Sequence, residues 1–103
     1  MPTQVRVDNN TSDRFTILDI FAADKTGLLY TIARTIFELG LSVSVARIGT
    51  YLDQVVDVFY VTDALGEKIE DESRLAEIRA RLFEVVDDFE RQGQDKAKEH
   101  AKT

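Results

Sequence analysis

Phe15-Thr16-Ile17-Leu18-Asp19-Ile20-Phe21-Ala22-Ala23-Asp24-Lys25-Thr26-Gly27-Leu28-Leu29-Tyr30-Thr31-Ile32-Ala33-Arg34-Thr35-Ile36-Phe37-Glu38-Leu39-Gly40 is the stretch on which the fold depends. Its opening, Phe15 to Ala22, is rich in β-branched and aromatic side chains and reads as a strand. Asp24-Lys25-Thr26-Gly27 breaks that pattern. Beyond the break Leu28, Leu29, Ile32, Ala33, Ile36, Phe37 and Leu39 recur at helical spacing, and Gly40 supplies a C-cap. A strand feeding a helix through so short a loop makes the segment the start of a β-α-β unit.

Upstream, Val5-Arg6-Val7 alternates briefly and stops at Asp8-Asn9-Asn10-Thr11-Ser12-Asp13, a cluster of turn formers. Downstream, Leu41, Val43 and Val45 alternate with Ser42 and Ser44 in a strand that continues to about Tyr51. Gln54 to Thr62 is a further strand, joined to it by a turn at Leu52-Asp53. Asp63-Ala64-Leu65-Gly66 is another turn, and from Asp71 a helical stripe forms through Leu75, Ile78, Leu82, Val85, Val86 and Phe89. Gln94 to Thr103 is polar, a frayed helix end or a disordered tail. We therefore expect one domain over residues 1–92 and a polar tail over 93–103. The order is β-β-α-β-β-α. Two β-α-β crossovers call for a strand after the last helix, and the first strand fills that place by hairpin. The fold class is α+β, ferredoxin-like in permuted order, a four-stranded antiparallel sheet with two helices on one face.

Alternation sorts Thr16, Leu18, Ile20 and Ala22 to one face, and Phe15, Ile17, Asp19 and Phe21 to the other. In Gln54–Thr62, Val56, Val58 and Tyr60 oppose Val55, Asp57, Phe59 and Val61. An unpaired buried carboxylate costs several kcal/mol or more, so Asp19 and Asp57 are expected to face away from the helices. That choice leaves Phe15, Ile17, Phe21, Val55, Asp57, Phe59 and Val61 as an apolar interface for a second copy or a sister domain. The alternative is that these residues are core and the faces are reversed.

The 103 residues carry 44% apolar and 31% charged side chains, with a net charge of -6. That suits one globular domain, which at this size buries roughly 60–70% of its unfolded surface. The scattered Lys and Arg leave no basic footprint for nucleic acid, and no apolar run nears the roughly 20 residues needed to span a bilayer. No cysteine is present, so disulfides and thiolate metal sites are excluded and a reducing cytosol is compatible. Met1-Pro2-Thr3-Gln4 has neither region of a signal peptide, and a cytoplasmic location without a membrane partner is expected.

Catalytic groups are sparse. His100 is the sole histidine and lies in the polar tail, and there is no Walker A or G-x-G-x-x-G motif. Asp87-Asp88 and Glu70-Asp71-Glu72 read as solvated helical charges. No catalytic residue, metal site or cofactor is expected. Asp24-Lys25-Thr26-Gly27-Leu28-Leu29 is more informative. It presents a helix N-terminus, whose N–H groups and positive partial charge suit a carboxylate, and Gly27 lets a ligand approach the backbone. Asp24 could accept from an ammonium group. Equally, Asp24 or Thr26 could be an N-cap and Gly27 a turn residue.

The segment Thr16–Val43 resembles the start of an ACT domain, and more narrowly the C-terminal ACT domains of bacterial PII uridylyltransferases. Val5-Arg6-Val7-Asp8-Asn9, Asp53-Gln54-Val55-Val56-Asp57-Val58-Phe59-Tyr60-Val61-Thr62-Asp63 and Gly66-Glu67-Lys68-Ile69 fit that narrower likeness, which covers roughly residues 4 to 88. The resemblance implies an ACT fold, pairing of ACT domains as a homodimer or with a sister domain, and an amino-acid effector, glutamine first. It points to Asp24, Lys25, Thr26, Gly27, Leu28, Leu29, Leu41, Ser42 and Val43 as ligand residues. Lys25-Thr26 stands where the family often has Arg-Pro, and Ser44-Val45-Ala46-Arg47 where a His-containing version is common. The enzyme modules of such a transferase would need several hundred further residues. The expected role is a regulatory domain, either free-standing or cut from a larger protein. A ligand-free dimerisation module is the alternative.

Overall fold

The computed structural model describes residues 3–23, 26–52 and 54–102, except the side chains of residue 51 and of 93–102. The elements run β1 (Gln4–Asp8), β2 (Thr16–Ala23), α1 (Leu28–Glu38), β3 (Ser42–Tyr51), β4 (Gln54–Thr62) and α2 (Glu72–Lys102). One sheet of order β1-β2-β4-β3 forms, every neighbouring pair antiparallel. This is the α+β, ferredoxin-like arrangement read from the sequence, with the N-terminal strand in the outer position. The α2 backbone continues through the polar stretch to Lys102.

Both helices cover the same face. Leu28, Ile32 and Ile36 of α1 and Ile78, Leu82 and Val86 of α2 join Val5, Leu18, Ile20, Ala22, Val55, Phe59 and Val61 in one core. Each such side chain removes its apolar surface from water, worth about 1.5–3 kcal/mol when complete. The expected facing of β2 is found, and that of β4 is not. Strand pairing sets Leu18 opposite Phe59 and Ile20 opposite Asp57, so Val55, Asp57, Phe59 and Val61 lie beneath the helices. Val56, Val58 and Tyr60 share the open face with Asp19. Both faces of β4 carry three large apolar residues, so one carboxylate decides its facing only when nothing inside the fold receives it. Asp57 is 1% exposed and engaged within the fold. Phe59, unlike Tyr60, has no hydroxyl to satisfy when buried. Four of the residues expected at an interface are therefore core.

A polar clasp secures the β1–β2 hairpin. The Asn9 amide donates to the Ile69 carbonyl at 2.6 Å, and Lys68 Nζ donates to the carbonyls of Asn9 at 2.6 Å and Ser12 at 2.8 Å. Thr16, fully buried, donates to Asn9 Oδ1 at 2.8 Å and accepts from the Ile69 N–H at 3.2 Å. Asp63 Oδ1 accepts from the N–H groups of Leu65 and Glu67, which builds the turn expected at Asp63–Gly66. These contacts satisfy backbone groups that the sheet leaves over.

The sheet edges differ. On β1, Arg79 Nε donates to the Val5 carbonyl at 3.1 Å. On β3 every residue from Ser42 to Thr50 is exposed, Val43, Val45 and Ile48 among them. A register shift between Val43 and Val45 puts those two valines on opposite faces, against the simple alternation of the sequence.

Candidate functional site

β2 ends at Ala23 and α1 begins at Leu28, so the intervening residues must reverse the chain at the rim of the sheet. Gly27 does so as the N-cap, with φ 88° in the left-handed region that side chains rarely enter. The cap is Gly27, not Thr26, and Asp24 and Lys25 lie outside the described residues. The first helical bond runs from the Thr31 N–H to the Gly27 carbonyl at 3.1 Å. The N–H groups of Leu28, Leu29 and Tyr30 thus have no carbonyl four residues back within the helix. No side chain caps this end among the described residues, and no acidic residue sits in the first turn. The arrangement favours an anionic group over the start of α1.

Two residues of α2 flank the loop. A Cβ added at Gly27 would lie 3.6 Å from Phe89 Cζ, so the glycine backs onto that ring. Glu90 Oε1 accepts from the Ala23 N–H at 3.0 Å, and its other oxygen accepts from the Thr3 hydroxyl. Neither residue is among the ligand residues expected from the sequence, where Phe89 reads only as part of the helical stripe. In Asp87-Asp88-Phe89-Glu90-Arg91 the glutamate looks like any solvated helical charge, and no local pattern ties it to a strand end 67 residues earlier. An open groove of about 360 Å³ between α1 and α2 adjoins the same helix end, lined by Thr31, Arg81, Val85, Asp88, Phe89 and Gln92.

The expected ligand residues separate into groups. Thr26, Gly27 and Leu29 are exposed at the rim, Leu29 at 44%. The side chains of Leu28 and Leu41 belong to the core, leaving only their backbone to a ligand. Ser42 and Val43 are exposed but lie at the far end of the sheet. Ala23 is level with Gln54 and hence Tyr51, while Ser42 pairs with Thr62, beside the start of β2. Seven strand steps at about 3.3 Å put the two groups about 23 Å apart within one chain. The loop and Ser42-Val43 do not meet in a single copy.

The open face holds Phe15, Ile17 and Phe21 with Val56, Val58 and Tyr60, and Ile17, expected at an interface, is buried there within the single copy. Phe15 meets Tyr60 edge to face at 6.1 Å, and Arg14 and Arg47 lie over Phe15 and Tyr60 at 5.7 and 5.6 Å. Asp19 sits among them beside Arg6. Burial, and then the nearby Asp8 charge, push its carboxyl above the ordinary 3.8, with Arg6 opposing. Asp8 is held below that value, mainly by the Thr11 hydroxyl and the Asn10 N–H. Among the described residues no three His, Cys, Asp or Glu side chains gather into a metal site, and no helix is long and apolar enough to cross a membrane.

With this geometry in view, residues 4–89 match the family described as "ACR9-like, ACT-like domain". The chain belongs to the ACT-like domain family. Similar curated proteins carry the name bifunctional uridylyltransferase/uridylyl-removing enzyme. That of Novosphingobium aromaticivorans is 46% identical over 81 residues, covering 79% of this chain and 9% of the relative. That of Azospirillum brasilense is 41% identical over 88 residues, 85% of this chain and 9% of the relative. That of Gluconobacter oxydans is 43% identical over 83 residues, 81% and 9%. This ACT-like domain therefore spans 9% of the length of these curated relatives. No solved structure matches it.

Proposed function

We propose that this ACT-like domain is a cytoplasmic regulatory domain that binds a small effector with an amino-acid head group, glutamine first, and that works as a pair without catalysis of its own. The observation that carries the reading is the start of α1, where N–H groups without an acceptor in the helix stand behind a left-handed glycine at an exposed rim. The effector carboxylate would sit on those N–H groups. The similarity to uridylyltransferase/uridylyl-removing enzymes suggests glutamine as the effector to try first. The functional unit is residues 1–92, with 93–103 as an appendage.

Pairing is supported by the unequal sheet edges. Arg79 occupies a carbonyl on the β1 edge, whereas β3 is exposed from Ser42 to Thr50 and pairs on one side only, with β4. Two copies joined antiparallel along β3 would bring the Ser42 end of one level with the loop end of the other. The two halves of the expected ligand set would then meet across the pair. The same bare edge also favours the second reading, a pairing module without a ligand.

Calorimetric titration of the chain with the standard amino acids separates these readings. Saturable heat with one of them, weakened about tenfold or more by Gly27→Val, supports sensing; a valine at φ 88° must distort the helix start. A flat response from a stable dimer leaves the pairing module. Ile48→Lys should yield monomers in sedimentation, and an unchanged mass would remove the β3 edge from the account.

A further inference from the structure

We propose that Glu90 is the positioning residue for the start of α1, with Phe89 as its apolar counterpart; the inference rests on the effector reading above. The chain leaves β2 at Ala23 and enters α1 at Gly27, and each of these points touches α2. Ala23 donates its N–H to Glu90 Oε1 at 3.0 Å, and Gly27 backs onto the Phe89 ring. The second Glu90 oxygen accepts from the Thr3 hydroxyl, so α2, the end of β2 and the residue before β1 meet at one carboxylate. Hydrogen bonds to an ionised acceptor are stronger than neutral ones, and this one is partly screened from water. Adjacent residues of a helix thereby hold Ala23 and Gly27, the two described points between which the chain passes into α1 and aims the N–H groups of Leu28 and Leu29. Gly27 needs such an external reference because a glycine restricts its own backbone least. Among the described residues the sheet holds Ala23 through the β2–β4 pairing with Gln54, at the last position of the strand.

Amide hydrogen exchange of the full chain without ligand tests this, with Glu90→Gln, Glu90→Ala and Phe89→Leu beside the wild type. The reporters are Ala23, and Thr31, whose N–H makes the first bond of α1. Glu90→Ala should speed exchange at both by about tenfold while Leu18 and Ile20 in mid-β2 are unchanged. Glu90→Gln keeps an accepting oxygen and should stay within about threefold of the wild type. Phe89→Leu should move Thr31 and spare Ala23. In titrations with L-glutamine, or whichever amino acid binds the wild type, affinity should fall for Glu90→Ala and be largely retained in Glu90→Gln. Unchanged exchange at Thr31 in Glu90→Ala overturns the proposal, and so does acceleration extending to Leu18 and Ile20 in all three variants. A wild type that binds no amino acid defeats the sensing reading alone, and the exchange pattern still decides the role of Glu90.

Discussion

Replacing Thr16 with valine keeps the shape of the side chain and removes one hydroxyl from the clasp that holds the β1–β2 hairpin. Thr16 is fully buried, and its hydroxyl both accepts from the Ile69 N–H and donates to Asn9 Oδ1. Ile69 is 3% exposed, so its N–H would lose its acceptor where water does not reach. Such an orphaned donor costs about 1–3 kcal/mol. Asn9 is half-buried and can recover a water, adding little. The new methyl group offsets about 0.8 kcal/mol at most. The net loss is about 1 kcal/mol, which for a domain of this size lowers Tm by about 4–8 °C. Urea denaturation with an unchanged slope should report the same loss. Thr16→Ser is the discriminating control. It keeps the hydroxyl and forfeits one buried methyl, about 0.5–1.5 kcal/mol, so both variants should be weaker than the wild type, valine through the lost hydroxyl and serine through the lost methyl. If Thr16→Val proves as stable as the wild type while Thr16→Ser is weaker, packing alone holds this site and the clasp contributes nothing.

Phe59→Glu should unfold the chain, because Phe59 is 3% exposed beneath the helices. Losing the ring costs about 3–5 kcal/mol before the buried charge is counted, against a total of about 5–15. Circular dichroism should show no cooperative melt, and a folded variant would mean that β4 faces the other way. Asp19 and Asp8 should give opposite pH trends. The Asp19 carboxyl is raised above 3.8, so the folded state binds the extra proton and stability falls as pH rises from 3.8 through the raised value. Asp19→Asn should therefore be the more stable protein at neutral pH, with the difference vanishing in acid. Asp8 is lowered, so its stabilisation is present above 3.8 and is lost as pH falls through the depressed value. Asp8→Asn should be the weaker protein at neutral pH. Urea midpoints measured from acid to neutral pH check both, and parallel profiles would refute the assignment.

The reading of β2 succeeded and that of β4 failed for one reason. In β2 the face bearing Asp19 was correctly turned outward, since Thr16, Leu18, Ile20 and Ala22 form an uncharged alternative. In β4 the same rule turned Asp57 outward, yet the register with Ile20 puts it inside, where the residue is engaged. Single-strand alternation has no knowledge of the partner strand, and the cost of a buried charge depends on what receives it. Ligand residues met the same limit. The left-handed turn at Gly27 was legible because a glycine at a strand-to-helix break is a local signal. The separation of Ser42-Val43 from the loop was not, since it follows from the direction in which β3 pairs.

The order of elements, the helix beginning behind Gly27, the turn at Asp63–Gly66 and the likeness to ACT domains all follow from the chain read alone. Each depends on residues within a few positions of one another, where backbone preference and periodicity act directly. The burial of Asp57, the split of Val43 from Val45, the bare β3 edge beside a covered β1 edge, and the hold of Phe89 and Glu90 on the loop belong to the tertiary structure. They are set by contacts between segments far apart in sequence, which no local pattern encodes.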